Sequence, residues 1–298
     1  MRAGGVCSPA MSYLRHLEAC NRFDPERFLP LLLAGRRVGF VRRDNARALD
    51  AFPRLFRLSS DGIALNDGIV GAEAATAALG EATDGLIRAG VFEKRRGELF
   101  AVTDGWRGPL LFELDRGAVP FFGTRSYGVH LNGWRPGADG PDLWIGKRAQ
   151  DKKIAPGQLD NLVAGGIGSG YGARDTLLKE AAEEADMPEA LSTCALAVGA
   201  IRYRAELPDG MRDDVLFLYD IRTPADFIPR NTDGEIEDFR VLPARECLRL
   251  VRETDQFKFN VNLVLVDFGL RHGLITPEDP DYLALVEGLR GSLIRGGR

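Results

Sequence analysis

Three glutamates in the middle of the chain, Glu180, Glu183 and Glu184, form a compact acidic group. In a helix, where each residue turns the chain by about 100°, these carboxylates fall within about 100° of one another. Like charges at such spacings repel, so a helix that keeps them together is stabilised by a bound cation. Hard divalent cations such as Mg²⁺ take oxygen ligands and leave coordination positions for water and phosphate. The three glutamates are therefore candidate metal ligands for chemistry on a phosphate group.

The segment that precedes these glutamates is rich in glycine. A short apolar strand is expected at 162–167, and the glycines lie at its end or before the helix: Gly165, Gly166, Gly168, Gly170 and Gly172. Glycine lets a ligand approach the backbone closely, and the start of a helix attracts anions. The glutamates alone would equally fit a solvated helix face. Strand, loop and helix together favour a phosphate and metal site, in which Gly165 and Gly166 contact the substrate.

This arrangement resembles the signature of the Nudix hydrolases, which is Gly, five residues, Glu, seven residues, Arg-Glu, an apolar residue, any residue, Glu-Glu, any residue, Gly and an apolar residue. The matching positions are Gly165, Glu180, Ala181, Glu183, Glu184 and Met187. Three positions depart from it: Tyr171 replaces the first Glu, Lys179 the Arg and Asp186 the second Gly. Lysine keeps the positive charge of arginine but not its forked geometry. The resemblance implies a Nudix-type α/β/α sandwich in which Glu183 and Glu184, with Glu180 beside them, bind the metal.

A narrower resemblance extends along much of the chain. Four segments, 127–134, 159–166, 233–239 and 257–260, are similar to a Nudix branch that has an extra N-terminal domain. That branch is similar to the Nudix part of fungal thiamine pyrophosphokinase-related proteins, and it tends to lack the first Glu of the signature. Its members are associated with hydrolysis of thiamine diphosphate and its oxidised relatives, and this substrate class is therefore expected here.

Later acidic residues are candidates for the general base. Glu235 and Glu237 alternate, so an extended segment would present both on the same side. Nudix enzymes often take a further carboxylate from this part of the sheet, and the resemblance favours one of the two without choosing between them. An exposed acidic turn at 233–234 explains the same residues equally well. Glu183, Glu235 and Glu237 are the predicted catalytic residues.

The remaining candidates concern the rest of the substrate. Tyr127 and Trp134 are predicted to stack on an aromatic base or a thiazolium ring, although packing between domains explains them equally well. Lys258 is a candidate phosphate contact, as is Arg125, and a structural role at a helix entry is the alternative for Lys258. His130 is expected to be a structural residue, since lone histidines usually are.

Composition narrows the class of protein. A hydrophobic content of 45% with 28% charged residues is typical of a globular protein outside the membrane. The net charge of −4 argues against nucleic-acid binding by phosphate neutralisation, but a metal-bound diphosphate remains compatible with it. Four widely spaced cysteines, no signal peptide and no membrane span predict a cytoplasmic protein with reduced thiols. A homodimer is left open.

The elements that must position these residues divide into two predicted units. Residues 1–120 mix short strands and helices in an accessory α+β domain, in which a helix is expected at 44–51 with Asp44 as its N-cap. Residues 121–298 are expected to form the Nudix domain, with strands at 127–134, 143–147, 195–206, 214–221 and 237–241. Helices are expected at 244–254, 261–271 and 282–290.

The resulting hypothesis is a hydrolase that requires Mg²⁺, or Mn²⁺ as a substitute, and cleaves thiamine diphosphate or an oxidised derivative to the monophosphate and phosphate. One alternative is a pyrophosphatase of ADP-ribose or a nucleotide sugar. The other, from a different class, is a catalytically weak ligand-binding or regulatory module, since the signature carries three substitutions.

Overall fold

The computed structural model describes residues 12–295, with side chains described as far as residue 290. Its strands are β1 Phe28–Leu33, β2 Arg36–Arg42, β3 Phe56–Leu58, β4 Ile63–Leu65, β5 Leu99–Thr103, β6 Leu110–Asp115, β7 Arg125–Gly137, β8 Gly140–Arg148, β9 Leu159–Asp160, β10 Val163–Gly166, β11 Leu196–Leu207, β12 Gly210–Arg222 and β13 Ile236–Pro243. Its helices are α1 Leu14–Cys20, α2 Arg43–Ala46, α3 Ala72–Arg88, α4 Val119–Phe122, α5 Ala173–Ala185, α6 Glu189–Ser192, α7 Ala244–Glu253, α8 Val261–Arg271 and α9 Tyr282–Arg295.

The larger sheet is mixed and has seven strands. Its order is β11-β12-β7-β8-β13, with β10 paired to β7 and β9 to β8. Strands β12 and β7 run parallel, whereas the other neighbours run antiparallel. Because side chains alternate along a strand, Val129 and Leu131 of β7 face one side while His130 and Asn132 face the other.

Helices cover both faces of this sheet. Leu177 and Ala181 of α5 pack with Val129 and Leu131 in one buried core. On the opposite face, residues of α7, α8 and α9 pack against β8, β11 and β12 in a second core. The predicted α/β/α sandwich is therefore confirmed.

The smaller unit has its own core. A four-stranded sheet of order β2-β1-β4-β3 packs with α3 and with the β5–β6 hairpin. Helix α1 behaves differently, because Tyr13 and Cys20 at its ends are buried in the core formed by α7, α8 and α9. Division of the chain into an accessory domain 1–120 and a Nudix domain 121–298 stays a prediction, and the structure adds that α1 packs with the second part.

Most predicted elements appear where the sequence pattern placed them, including the antiparallel pair β11 and β12. The expected N-cap at Asp44 is wrong. Helix α2 begins at Arg43, and Arg42, with the extended backbone angle ψ of 135°, is the N-cap residue. Asp44 lies inside the first turn, where its carboxylate is 3.5 Å from Nε of Arg42. A 3₁₀ turn at Arg47–Ala51 then replaces the expected continuation of the helix.

The cysteines Cys20, Cys194 and Cys247 are free thiols, and Cys7 lies outside the described residues. Within residues 12–295, none of the helices is long and apolar enough to cross a membrane.

Candidate active site

Helix α5 carries the three glutamates and is fixed at both ends. At its start, the N–H of Gly172 donates to Oδ2 of Asp175 over 3.1 Å. At its end, Asp186 adopts the left-handed conformation with φ of 49°, and the N–H of Met187 donates to the carbonyl of Ala181 over 3.0 Å. Glycine adopts this conformation most readily. The Gly of the Nudix signature at this position therefore has a structural explanation, and aspartate here bears a modest backbone cost.

Glu184 is a buried carboxylate, with only 4% of its surface exposed. Its Oε2 accepts a hydrogen bond from the N–H of Ala164 in β10 over 2.8 Å, and the structure shows no ion pair to it among residues 12–290. Burial raises the pKa of Glu184 well above its usual value, and Asp160, Glu180 and Glu235 raise it further by repulsion. A nearby cation would stabilise the charged form of this carboxylate beyond what its one N–H donor provides.

Glu180 packs directly over the strand that precedes the helix. A β-carbon at position 165 would lie 2.3 Å from the Cγ of Glu180, so only glycine leaves room for this side chain. Burial raises the pKa of Glu180, and the charges of Glu183 and Glu235 also raise it, whereas Lys179 lowers it. The predicted substrate-binding role of Gly165 stays a prediction, and the structure supplies a packing reason for glycine there.

Lys179 is the cation that the structure places among these carboxylates. Its Nζ lies 2.6 Å from Oε2 of Glu183 and 3.3 Å from Oε1 of Glu180. The hydrogen bond to Glu183 is the main reason that the pKa of Lys179 lies above its usual value. Lys179 thus retains the charge of the arginine in the signature and holds Glu183 at the half-exposed edge of the helix.

The donors on α5 suit a divalent metal in their chemistry but not in their present arrangement. No group of three or more His, Cys, Asp or Glu side chains in the described part of the chain is already arranged to hold a metal ion. The chemistry of the donors nevertheless fits a hard cation, because they are carboxylate oxygens only. Burial and repulsion from neighbouring carboxylates raise the pKa of both Glu180 and Glu184, and the ammonium of Lys179 already lies between Glu180 and Glu183.

Glu235 and Glu237 do not follow the simple alternation expected from the sequence, because Glu235 precedes β13 and Glu237 lies at an irregularity in it. A bulge between Ile236 and Asp238 interrupts the pairing of β13 with β8. Glu235 pairs with Lys152 over 2.6 Å, whereas Glu237 pairs with Lys147 over 2.7 Å.

The charge of Glu235 acts on α5, since it raises the pKa of both Glu180 and Glu184. Its loop is attached to the helix, because the N–H and hydroxyl of Thr232 both donate to the carbonyl of Glu183, over 3.2 and 2.6 Å.

The glycine-rich loop contacts the β5–β6 hairpin of the N-terminal unit. The N–H of Ser169 donates to the carbonyl of Leu99 over 2.7 Å, and its hydroxyl donates to the Glu113 carboxylate. A β-carbon at position 166 would lie 2.7 Å from the ring of Phe100. Close packing against the hairpin therefore gives Gly166 a structural reason, and its predicted contact with substrate stays untested. The sequence showed no signal for this contact between units.

The structure does not bring Tyr127 and Trp134 together. They are seven positions apart on β7, at odd and even positions that face opposite sides of the sheet. The ring of Tyr127 lies 4.7 Å from that of Trp106, which in turn lies 4.5 Å from Phe217. Trp134 contacts His272 of the other face, at 5.7 Å between ring centres. Trp106 and Phe217, which sequence reasoning missed, are therefore the aromatic neighbours of Tyr127.

Lys258 belongs to a buried ionic group. Its Nζ lies 3.2 Å from Oδ2 of Asp160, which Arg148 also contacts at 2.9 Å. Burial alone would raise the pKa of Asp160, but Lys258, His130 and Arg148 hold it below its usual value. Burial lowers the pKa of His130 to about 4, and its Nδ1 lies 2.8 Å from Oδ1 of Asn161, as expected of a structural histidine. A phosphate contact by Lys258 stays a prediction that competes with this ion pair.

Comparison with known proteins identifies relatives over nearly the whole chain. The chain is 35% identical over 300 residues to Nudix hydrolase 20, chloroplastic, of Arabidopsis thaliana. The aligned region covers 97% of this chain and 80% of the plant protein. The chain is also 36% identical over 287 residues to Nudix hydrolase 24, chloroplastic, of the same plant. The aligned region covers 95% of this chain and 79% of that plant protein. Residues 12–126 match a family described as a domain of unknown function, DUF4743.

Among solved structures, a protein from Deinococcus radiodurans aligns with a TM-score of 0.46 and 20% identity, over 57% of this chain and 98% of its own. This structural similarity is too low to assign a family. The sequence identity to the two plant proteins assigns one, because it extends across both units and includes the glutamate helix. The chain therefore belongs to the Nudix hydrolase family and is a hydrolase that acts on diphosphate bonds.

Proposed function

We propose that this hydrolase uses Mg²⁺, held by Glu180, Glu183 and Glu184, to cleave thiamine diphosphate or an oxidised derivative of it. The products are the monophosphate and inorganic phosphate. Mn²⁺ is expected to replace Mg²⁺, because both ions accept carboxylate ligands.

The observation that carries the metal assignment is the buried charge of α5. Glu184 is buried with a backbone N–H as its hydrogen-bond donor, and Glu180 is held against Gly165. Burial and repulsion from neighbouring carboxylates, including Glu235, disfavour the charged form of both groups in the metal-free protein. A divalent cation would reverse this penalty, which supports a metal site on this face.

Each residue of the site has a proposed task. When bound, Mg²⁺ supplies positive charge to the phosphates and lowers the pKa of a bound water. A water attacks the terminal phosphorus, the bond from that phosphorus to the bridging oxygen breaks, and the water's proton passes to a carboxylate. Glu235 is the proposed acceptor, because its charge acts on both Glu180 and Glu184. Lys179 orients Glu183 through its 2.6 Å ion pair.

The substrate assignment is supported by the four segments that resemble the thiamine-related branch and by one aromatic group. Trp106, Tyr127 and Phe217 form a cluster in which the Trp106 side chain is 40% exposed. An exposed aromatic face is favourable for an organic cation such as a thiazolium, by about 0.5–2 kcal/mol. The cluster contains Tyr127, one of the two aromatic residues that the sequence suggested for the substrate, and does not contain Trp134.

The metal assignment is tested by neutralising the carboxylates without changing their size. Glu183→Gln and Glu184→Gln should each lower kcat by about 100-fold or more at saturating Mg²⁺, because each removes charge from the metal site. Glu189→Gln, on the exposed start of α6, is the matched control and should keep full activity. Activity within threefold of the parent in both Glu183→Gln and Glu184→Gln would contradict the assignment.

The substrate assignment is tested separately by phosphate release. Thiamine diphosphate and its oxidised forms should give higher kcat/KM than ADP-ribose, NADH, nucleotide sugars and nucleoside triphosphates. If ADP-ribose or a nucleotide sugar exceeds every thiamine compound by tenfold, that compound class replaces thiamine diphosphate as the substrate, while the metal assignment is unaffected.

A further inference from the structure

A cavity of about 480 Å³ lies where the N-terminal unit meets the start of β7. Its walls are formed by β2, by the turn after β5, and by the adjoining ends of β7, β11 and β12. Its lining includes Phe40, Thr103, Tyr127 and Gly123. The lining residues include none from α5 or from the glycine-rich loop. This volume is within the range of small-molecule sites, and the cavity shares no residue with the proposed metal site.

Four arginines and two aspartates line this cavity: Arg36, Arg37, Arg125, Arg204, Asp104 and Asp213. The Arg36 guanidinium is paired with the Asp104 carboxylate at the rim. The guanidinium carbon of Arg37 lies 4.9 Å from the ring centre of Phe40, and the side chain is exposed. With four positive and two negative side chains, the lining has an excess of positive charge.

This excess is concentrated around one buried carboxylate. Asp213 is contacted by Arg202 at 2.7 Å, by Arg204 at 3.2 Å and by Arg125 at 3.5 Å. Burial lowers the pKa of Arg204, and repulsion from Arg202 and Arg125 lowers it further. The buried Nε atoms of Arg125 and Arg204 make no hydrogen bond to the described residues. Three guanidinium groups therefore converge on this carboxylate, and an added anion beside Arg125 and Arg204 would reduce the repulsion between them.

Aromatic rings hold part of this charge in place. The Arg204 guanidinium carbon lies 5.3 Å from the centre of the Phe40 ring and 5.1 Å from that of Phe23. Tyr127 lines the cavity, and its ring lies 4.7 Å from Trp106. Guanidinium groups that are already stacked lose little freedom when they bind an anion, and they match the geometry of phosphate oxygens.

We infer that this cavity is a second ligand site, which binds a small phosphate ester with an aromatic part. Arg37, Arg125 and Arg204 contact the phosphate, and Tyr127 packs against the ring. Both structural units contribute to the site, so its ligand joins them. No proposed metal ligand lines the cavity, so binding here requires no divalent cation, and the site shares Tyr127 with the aromatic cluster proposed for the substrate.

The test is calorimetric titration of the full chain with phenyl phosphate in EDTA, with methyl phosphate as the comparison. Phenyl phosphate should bind saturably and more tightly than methyl phosphate, because only the first has a ring to stack. Arg37→Gln and Arg125→Gln should each weaken it by about tenfold or more, since each removes a charge-assisted contact. Arg37 is exposed, so its replacement leaves the fold intact if Arg125→Gln does not fold.

Two control variants test whether loss of binding is specific to the arginines of the cavity. Arg57→Gln removes the same charge from an exposed arginine that pairs with Asp67 over 3.4 Å, and it should leave binding unchanged. Glu183→Gln should also leave binding unchanged, even if it abolishes hydrolysis.

The inference is overturned if wild-type protein shows no saturable binding or if Arg37→Gln binds as tightly as wild type. It is also overturned if Glu183→Gln rather than the arginine variants abolishes binding. Failure of the metal-dependent hydrolysis would leave this result unaffected.

Discussion

Replacing Gly165 by alanine is a sensitive test of the architecture around Glu180. The new β-carbon would lie 2.3 Å from the Cγ of Glu180 and 2.5 Å from its Cδ. Since ordinary carbon contacts begin near 3.4 Å, the Glu180 side chain must retreat by about 1 Å. Overpacking of this kind costs about 1–3 kcal/mol in the free energy of unfolding.

The same displacement should affect the proposed reaction. Glu180 is a proposed metal ligand, and a misplacement of about 1 Å in a catalytic group can cost about 100-fold in rate. We therefore expect Gly165→Ala to lower kcat/KM by about 100-fold, equivalent to about 2.7 kcal/mol of transition-state stabilisation.

The assays are urea unfolding in EDTA and phosphate release at saturating Mg²⁺. Gly168→Ala is the matched control in the same loop, because its β-carbon would meet neighbours only at 3.5 Å or more. Combining Gly165→Ala with Glu180→Ala should recover part of the lost stability, since alanine lacks the Cγ and Cδ atoms that overlap. If Gly165→Ala unfolds within about 0.5 kcal/mol of wild type and keeps activity within threefold, the packing argument is refuted.

Three further predictions concern other parts of the site. Because burial raises the pKa of Glu184 above its ordinary 4.5, the metal-free protein should lose stability as pH rises from that value towards the raised one. Glu184→Gln should remove this loss. Thermal melts in EDTA should therefore give equal Tm values for variant and wild type below about pH 4.5, and a higher Tm for the variant at neutral pH. A lower Tm of the variant at neutral pH would contradict the raised pKa of Glu184. Ser169→Ala removes the hydrogen bond to Glu113 and should lower the free energy of unfolding by about 1–2 kcal/mol in urea, whereas no change would mean that the hairpin contact is not formed in solution. The double variant Tyr171→Glu with Lys179→Arg should not raise kcat/KM appreciably, because Lys179 already holds the helix carboxylates and Tyr171 is 54% exposed; a tenfold gain would indicate a degraded signature instead.

The sequence by itself determined the elements whose causes are local. The helix of Glu180, Glu183 and Glu184 follows from their spacing and from the glycines before them, and the structure forms it as α5 from Ala173 to Ala185. Strands β11 and β12 follow equally from alternating residues around a tight turn. Helical and strand periodicity act over a few residues, so a linear pattern contains enough information to predict them.

Partners that are distant in sequence were decided only by tertiary structure. A bulge in β13 separates Glu235 from Glu237, and the odd and even positions of β7 separate Tyr127 from Trp134. The sequence suggested that the members of each pair act together. It did not reveal their separation, because bulges and the neighbours of a given face depend on how strands pair across the whole sheet.

The contact between the two units was decided in the same way. Ser169 hydrogen-bonds to Leu99, seventy residues before it, and the arginines around Asp213 come from two strands, β7 and β11. No local pattern predicts such contacts, because they form only when separate cores pack together and bury the surfaces between them. The sequence therefore identified candidate residues for the chemistry of a Nudix hydrolase, and the packing of the two units determined their neighbours.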